Sequence, residues 1–558
     1  MNETFPFRRV WLGLLFFYLI ALGVRIHYVH EKDGVLIDDV WTVVFAQYNK
    51  HHNFSSLFEP PRTFSGREIK DRLLNDTGES VGLFNDLSRL WVNDLDSSHP
   101  PFYYALFRLA MLGVDDATLS AIIFRGAMLN LLLFTVSFFG FFATLKLVLR
   151  APPPAAATIV WKNLLAYDLA PAVATLCAFL STATISNTLF FRPYQLMETC
   201  FIVFAYVFFR FFDEPKTTGG GGAFFFHPRE LHWRRFIWLA AVAALTILTG
   251  YLGLIYVGLF GLYAVLYHWR RKNYREIGAY FAILFAALAL AQIFYLNYFS
   301  GFGKWRMLEA YHNFGGGLSF TGIKAFFGAI LPHFYFTRSI LLVYVSVIIL
   351  AFAVKRGRWR PPLPVIALTA VGLVFSLIAI TGAPMKQIRF VAMALPFLIV
   401  PVAAALSSLG SRKIIFTAAA LALSVSFSAA AADANRVGFL FKNKPSWFAF
   451  TQHPELPVLV LIREDAQKDF IGDAAPYLPD KQRYTFYLTG TQENTLGDDL
   501  PPHFYLLLCK VGLPTNVSPN GYTVAARTES EFIICYELVR TPPAAANADA
   551  APPAPEIE

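Results

Sequence analysis

Cysteine is scarce in this chain, with four in 558 residues and no Cys-x-x-Cys pair, which argues against a structural zinc site of the finger or ribbon kind. Glycine-rich nucleotide-binding patterns are missing as well. Charged residues make up only 15% of the sequence, and they sit in separate short segments. The net charge of +9 therefore does not describe a nucleic-acid surface, and no nucleic-acid partner is expected. No small-x-small cleavage site follows the first apolar stretch, Val10–Val24, which lies behind Arg8 and Arg9 and runs into Arg25, His27 and Tyr28. That stretch reads as an uncleaved first span, not a removed signal peptide.

What is abundant is apolar surface. The hydrophobic fraction is 56%, phenylalanine alone numbers 56, and the mean hydropathy is +0.47; an ordinary soluble domain is roughly 45–50% apolar. Apolar runs near the ~20 residues that cross a bilayer recur through the first three quarters of the chain. About eleven transmembrane helices are expected on that criterion, near 10–26, 118–148, 168–190, 196–212, 235–249, 251–268, 277–299, 339–354, 363–381, 391–409 and 414–432. Alternate connections carry the basic residues: Arg8 and Arg9, Lys146 to Lys162, Lys216 to Arg235, Arg270 to Arg275, Lys355 to Arg360, then Arg412 and Lys413. The positive-inside bias assigns these to the cytoplasm. An odd number of spans then puts the N-terminus inside and everything after Ala432 outside, in a multi-pass protein of the plasma (inner) membrane.

This orientation divides the chain. Residues 1–432 form an all-α polytopic membrane domain. It includes a first outer loop, 27–117, with interfacial helices, and a second, 300–338, with Gly315-Gly316-Gly317 as a flexible point. Gly219 to Gly222 reads as a cytoplasmic linker. Residues 433–540 form an outer soluble domain in which Val458–Ile462, Tyr484–Leu488, Phe504–Leu508, Tyr522–Ala526 and Phe532–Leu538 read as strands between turn residues. That domain is β-rich, or α/β if helices alternate with its strands, and shows no catalytic signature. The tail 541–558, rich in Ala and Pro, reads as disordered.

Four short stretches carry candidate chemistry. The first is Gly34-Val35-Leu36-Ile37-Asp38-Asp39-Val40-Trp41. Adjacent carboxylates in an apolar context at the membrane surface are costly unless partnered or used; the alternative is that one of them caps a helix beginning at Val40. The second is His99-Pro100-Pro101-Phe102-Tyr103-Tyr104, a helix start followed by an aromatic helix, where His99 is either functional or a structural surface histidine. The third and fourth are Arg192-Pro193-Tyr194 and Lys386-Gln387-Ile388-Arg389-Phe390 followed by Ala394-Leu395-Pro396. Their cations either snorkel to the interface or, lying on the face where positive-inside bias predicts few, bind an anion.

Taken in order, the acidic pair, the long loop, His-Pro-Pro-Phe-Tyr-Tyr, Arg-Pro-Tyr and Arg-Phe-x-x-x-x-x-Pro resemble the polytopic glycosyltransferases related to protein O-mannosyltransferases and the lipid A aminoarabinose transferase. The resemblance spans roughly residues 1–435 and implies the C-type glycosyltransferase fold. It implies transfer of a sugar from a polyprenyl-phosphate donor to an acceptor hydroxyl of a glycan, lipid or protein, typically with inversion. Asp38 matches the family's first acidic position, the general base, and Asp39 the second, commonly Glu in the family. Arg389, Arg192 and Lys386 are the candidates for the donor phosphate, since guanidinium offers a permanently charged fork, and Tyr194 and His99 the candidates for phosphate or sugar. No cofactor is required. Asp94-Leu95-Asp96, just before His99, has a divalent-ion spacing that leaves a metal open.

The competing class is a transporter or flippase of a lipid-linked sugar or small molecule, which would place ionisable residues near the bilayer midplane and show repeated halves; halves of matching pattern are absent. Cys509 follows the strand-like run Phe504–Leu508 and Cys535 sits inside Phe532–Leu538, both in the domain assigned to an oxidising compartment. They are either a disulfide or two separate buried thiols. The orientation has a direct test. A reporter that works only in the cytoplasm, fused after residue 540, should be silent, and an active reporter would mean an even number of spans.

Overall fold

The computed structural model describes residues 5–47, 62–75, 83–92, 99–114, 116–149, 164–212, 232–299, 312–313, 320–331, 337–383, 387–440, 450–462, 474–488, 500–509, 521–529 and 533–541. Lys386, Asp94-Leu95-Asp96, Gly219–Gly222, Gly315–Gly317 and the tail after Thr541 lie outside the described residues. The chain divides into two compact units. One comprises 1–33, 81–112 and 122–440, and the other 34–80, 113–121 and 441–558.

The first unit is helical. Its helices are α1 (Phe5–His30), α4 (Leu83–Val92), α5 (Phe102–Ala110), α6 (Leu119–Val148), α7 (Ala170–Phe179), α8 (Thr182–Leu189), α9 (Tyr194–Phe212) and α10 (His232–Leu248). They continue with α11 (Tyr251–Arg270), α12 (Tyr274–Phe294), α13 (Arg338–Val354), α14 (Leu363–Gly382), α15 (Val400–Leu409) and α16 (Lys413–Ala431). α6 starts just before the unit's 122 boundary. Among the described residues eight helices are long and apolar enough to cross a membrane, α15 counting together with the 3-10 stretch Ala392–Ile399 that leads into it; the bent pair α7–α8 makes a ninth, and α13 and the apolar part of α10 are shorter. These fall one for one on the eleven expected spans. Large apolar side chains also point outward: Leu12, Phe16, Phe285, Ile293, Leu342, Ile349 and Leu421 are all at least 60% exposed. A soluble bundle would bury one stripe of each helix; apolar faces all round belong in lipid.

The expected span 168–190 is not one straight helix. α7 and α8 meet at 56°, because Ser181 leaves the helix and caps the next one by accepting from Thr184 N–H at 3.4 Å. A helix break inside a membrane exposes carbonyls that water cannot reach. Arg25 fills the gap, donating from Nη1 to the Phe179 carbonyl at 2.7 Å. The first span was expected to end near 26, with Arg25 at its edge. Instead α1 runs on to His30 and Arg25 is fully buried.

The second unit is built on a six-stranded sheet of order β1-β3-β2-β4-β6-β5. The strands are β1 (Arg62–Ser65), β2 (Val458–Ile462), β3 (Arg483–Leu488), β4 (His503–Cys509), β5 (Tyr522–Glu529) and β6 (Ile533–Arg540). β3, β2 and β4 run parallel, while β1, β6 and β5 pair antiparallel to their neighbours. Alternate residues Leu459 and Leu461, Phe504, Leu506 and Leu508, and Ile534, Tyr536 and Leu538 make one buried face. β1 was not expected. It comes from the stretch 27–117, assigned by sequence to the membrane domain, of which 34–80 and 113–117 belong to the sheet's unit. α3 (Gly66–Leu73) follows it without a linker, capped by a reciprocal Ser65–Glu68 pair. Only glycine fits at 66, since a Cβ there would lie 2.1 Å from the Pro479 carbonyl oxygen.

The sheet register bears on the two cysteines of this unit. Cys535 faces Leu507 and Cys509 faces Ile533, so the two cysteines are two residues out of register. Diagonal neighbours stand roughly 7–8 Å apart, beyond the ~4.4–6.8 Å that a disulfide spans. Cys535 is a free, buried thiol, and burial pushes it up to about 12. In the folded protein it should resist thiol reagents at neutral pH, and on unfolding without reductant it should label fully. A requirement for reductant before labelling would restore the bridge.

Candidate functional site

Two of the candidate stretches are tied together by a buried amide. Asn130 sits within the apolar length of α6 and is fully buried. Its Nδ2 donates to the carbonyls of Thr188 at 3.1 Å, Phe190 at 3.0 Å and, more weakly, Asn187 at 3.5 Å. These are the carbonyls left open where α8 ends. Its Oδ1 accepts from Tyr103 Oη at 3.0 Å, on the helix that His99-Pro100-Pro101 starts. One side chain thus fixes both the exit of α8 and the start of α5.

From that fixed exit the chain runs through Phe190, Phe191, Arg192 and Pro193 into α9. Arg192 Nη2 lies 3.4 Å from His99 Nδ1; arginine only donates, so Nδ1 accepts. The Arg192 guanidinium is 5.8 Å from the Tyr104 ring centroid. Tyr194 meets His99 edge-on at 5.8 Å, stacks on Phe190 at 5.7 Å and meets Phe390 edge-on at 6.1 Å. Arg389, in the short 3-10 turn Ile388–Phe390, holds its guanidinium 5.9 Å from Phe190 and 5.1 Å from Phe390. His99, Arg192 and Tyr194 are buried, and Arg389 is half-buried.

Two backbone features support this cluster. Phe439 has φ 66, a costly conformation for a bulky residue. It is held by stacking on Phe190 at 4.1 Å and by Lys32 Nζ donating to its carbonyl at 2.8 Å. Gly250, at φ 155, admits Met197, whose Cε would lie 2.3 Å from a Cβ there, with His99 Cδ2 at 3.7 Å.

His99, Arg192, Tyr194 and Arg389 therefore come together, while Lys386 lies outside the described residues. Asp38 and Asp39 belong to the other unit, in the first turn of α2 (Ile37–Gln47). Asp39 is fully buried and its Oδ2 accepts from Leu36 N–H at 3.1 Å, the return half of a capping box. Capping is thus realised for Asp39, with the helix starting at Ile37 and not at Val40. Asp38 is half-buried. Tyr477 pins the approach to this turn, its Oη accepting from Val35 N–H at 2.8 Å. Among the described residues no three His, Cys, Asp or Glu side chains gather as a metal site would.

Asn130, Phe190 and Gly250 were not singled out by sequence, and Tyr103 and Tyr104 were named only as part of the stretch that starts at His99. Asn130 had a usable signal, a lone amide within an apolar run of membrane length, where a polar group needs a partner.

The bundle of long apolar helices defines a multi-pass membrane protein. No protein-family model and no curated protein sequence matches the chain. Among solved structures it is similar to ArnT from Cupriavidus metallidurans bound to undecaprenyl phosphate, at TM-score 0.48 and 11% identity over 94% of this chain and 98% of that one. It is also similar to the archaeal oligosaccharyltransferase AglB from Archaeoglobus fulgidus in complex with an inhibitory peptide and a dolichol-phosphate. There the TM-score is 0.48 and the identity 12%, over 86% of this chain and 65% of that one. The likeness is remote, and what the site can do follows from its own residues.

Asn130→Ala should lower stability by roughly 2–3 kcal/mol, because it strands several buried partners that each cost about 1–3 kcal/mol. A thermal melt of the purified protein would show the drop. An unchanged midpoint would mean that the amide does not hold the two stretches.

Proposed function

We propose that this chain is a membrane glycosyltransferase. It transfers a hexosyl or pentosyl unit from a polyprenyl-phosphate donor to an acceptor hydroxyl of a glycan, lipid or protein at the outer membrane face. The observation that carries the reading is the convergence of His99, Arg192, Tyr194 and Arg389, drawn from three separated stretches, into one cation–aromatic cluster. Two guanidiniums, an imidazole and aromatic walls suit a phosphate ester with an apolar tail.

In this mechanism the acceptor oxygen attacks the anomeric carbon from the face opposite the phosphate. The bond from that carbon to the phosphate oxygen breaks, and its electron pair leaves with the polyprenyl phosphate. Asp38 takes the acceptor's proton, with a carboxylate in hydrogen-bond reach acting as general base. Arg389 and Arg192 stabilise the negative charge of the leaving phosphate, as preorganised donors do for developing charge. Asp39, already accepting from Leu36 N–H, holds the turn that carries Asp38.

One observation favours the transport reading: Arg25 and Glu198 are ionisable, fully buried and on membrane-spanning helices. Arg25 donates to Thr188 and Thr184, and Glu198 accepts from Asn187 and Gln195, which suits a structural network better than a moving charge.

The test is a proteoliposome assay that scores sugar transfer and lipid translocation separately. Asp38→Asn should abolish transfer, a loss of about 100-fold or more, while donor binding persists. Asp39→Asn should be milder, about 10-fold. Arg389→Ala and Arg192→Ala should weaken donor binding about 10- to 100-fold, the worth of a charge-assisted contact. Wild-type turnover in Asp38→Asn at saturating donor would remove it as the base, and translocation without transfer would establish the alternative.

A further inference from the structure

A groove of about 250 Å³ runs between α9, α10, α11 and α12, with Phe204, Phe208, Val257, Gly261, Phe281 and Leu284 among its walls. Its lining is almost wholly apolar. Leu262 and Phe281, both in the wall, are 53% and 49% exposed, so it opens on the lipid-facing side of the bundle. The groove exists because α11 carries Gly258 and Gly261, where an added Cβ would meet nothing within 4 Å.

One end of the groove is marked by charge. α11 ends at Arg270, and Arg271, Lys272 and Arg275 follow in the turn into α12; all four are exposed. Val265 in the groove wall precedes Arg270 by five residues, about 7.5 Å of helix. The aromatic pair Trp269 and Tyr274, 5.9 Å apart edge to face and 62% and 61% exposed, marks this level as the membrane–water interface. The first turn of α12 has no side-chain cap, so its N–H groups add positive potential. Its acidic residue, Glu276, is buried away from the exposed surface.

This end lies across the bilayer from the cation–aromatic cluster. α9 and α11 both begin beside His99, through Tyr194 and Gly250, and their far ends meet where Phe212 packs on Tyr267 at 4.6 Å. The 20 residues of α11 span about 30 Å, the thickness of the hydrocarbon core.

We propose that this groove binds an anionic phospholipid, with an acyl chain between α9, α11 and α12 and the phosphate against the Arg270–Arg275 turn. The groove takes the chain and the turn supplies the complementary charge, as in other basic pockets between membrane helices. The inference does not depend on the glycosyltransferase reading.

Native mass spectrometry of the full-length protein, titrated with phosphatidylglycerol or phosphatidylcholine of equal chain length, tests it. Phosphatidylglycerol should bind about tenfold more tightly or better, given the worth of each cation near a membrane surface. Gly261→Leu and, independently, Gly258→Leu should cut that affinity about tenfold without lowering the thermal midpoint, since each new side chain enters open space. Arg270→Gln, Arg271→Gln and Lys272→Gln together should erase the preference for phosphatidylglycerol. Equal binding of the two lipids by the wild type would overturn the proposal. So would undiminished affinity in both leucine variants, or displacement of phosphatidylglycerol by polyprenyl phosphate.

Discussion

A guanidinium inside a membrane bundle must find a partner for nearly every N–H, and Arg25 does. Nη1 donates to the carbonyls of Phe179 and Ala21, Nε to Thr188 Oγ1, and Nη2 to Thr184 Oγ1. The flat cation lies 3.9 Å from the centre of the Phe134 ring. Replacing it would strand the open C-terminus of α7 in hydrocarbon, where each unsatisfied group costs several kcal/mol.

Because Arg25 closes the break, α8 can exist as a polar half-helix inside the bundle. Thr182, Thr184, Ser186, Asn187 and Thr188 are all buried, and the last four have their hydroxyl or amide engaged. Thr188 Oγ1 donates to Gln195 Oε1 at 3.1 Å, and Gln195 and Asn187 each donate to one oxygen of Glu198. The carboxylate of α9 and the guanidinium of α1 thereby belong to one network that spans the turn 189–193. Asn130 completes it from the other side. Ser186 Oγ also accepts from Gly438 N–H at 2.8 Å, which carries the constraint to Phe439. Polar networks in low dielectric are costly when incomplete and rigid when complete; this one is rigid where Arg192 and Tyr194 emerge.

The two membrane faces of the helical unit differ in what they offer an anion. At the start of α9 and α11 the cations are few, buried or half-buried, and walled by aromatic rings. At the far end they are several, exposed and backed by an apolar groove, a geometry for a membrane lipid. Positive-inside bias accounts for the charge at the second end; it does not account for the two glycines that open the groove.

Span positions and five of the six strands were legible because run length and alternation are local properties of the chain. The types of residue in the candidate site were legible for the same reason, as charges in places where a bilayer disfavours them. The rest depended on partners distant in sequence. β1 is four residues long and is a strand only because β3 pairs with it. The bend before Ser181 leaves no strong breaker in the sequence and is tolerated only because Arg25 reaches it. The separation of Cys509 from Cys535 follows from a register that no single strand encodes. Asn130 looked like one polar residue in an apolar helix until the end of α8 supplied its acceptors. Sequence alone determined that the chain lives in a membrane and which side chains could bind an anion. Tertiary structure decided which of them meet, because burying a polar group in hydrocarbon is permitted only where another segment satisfies its hydrogen bonds.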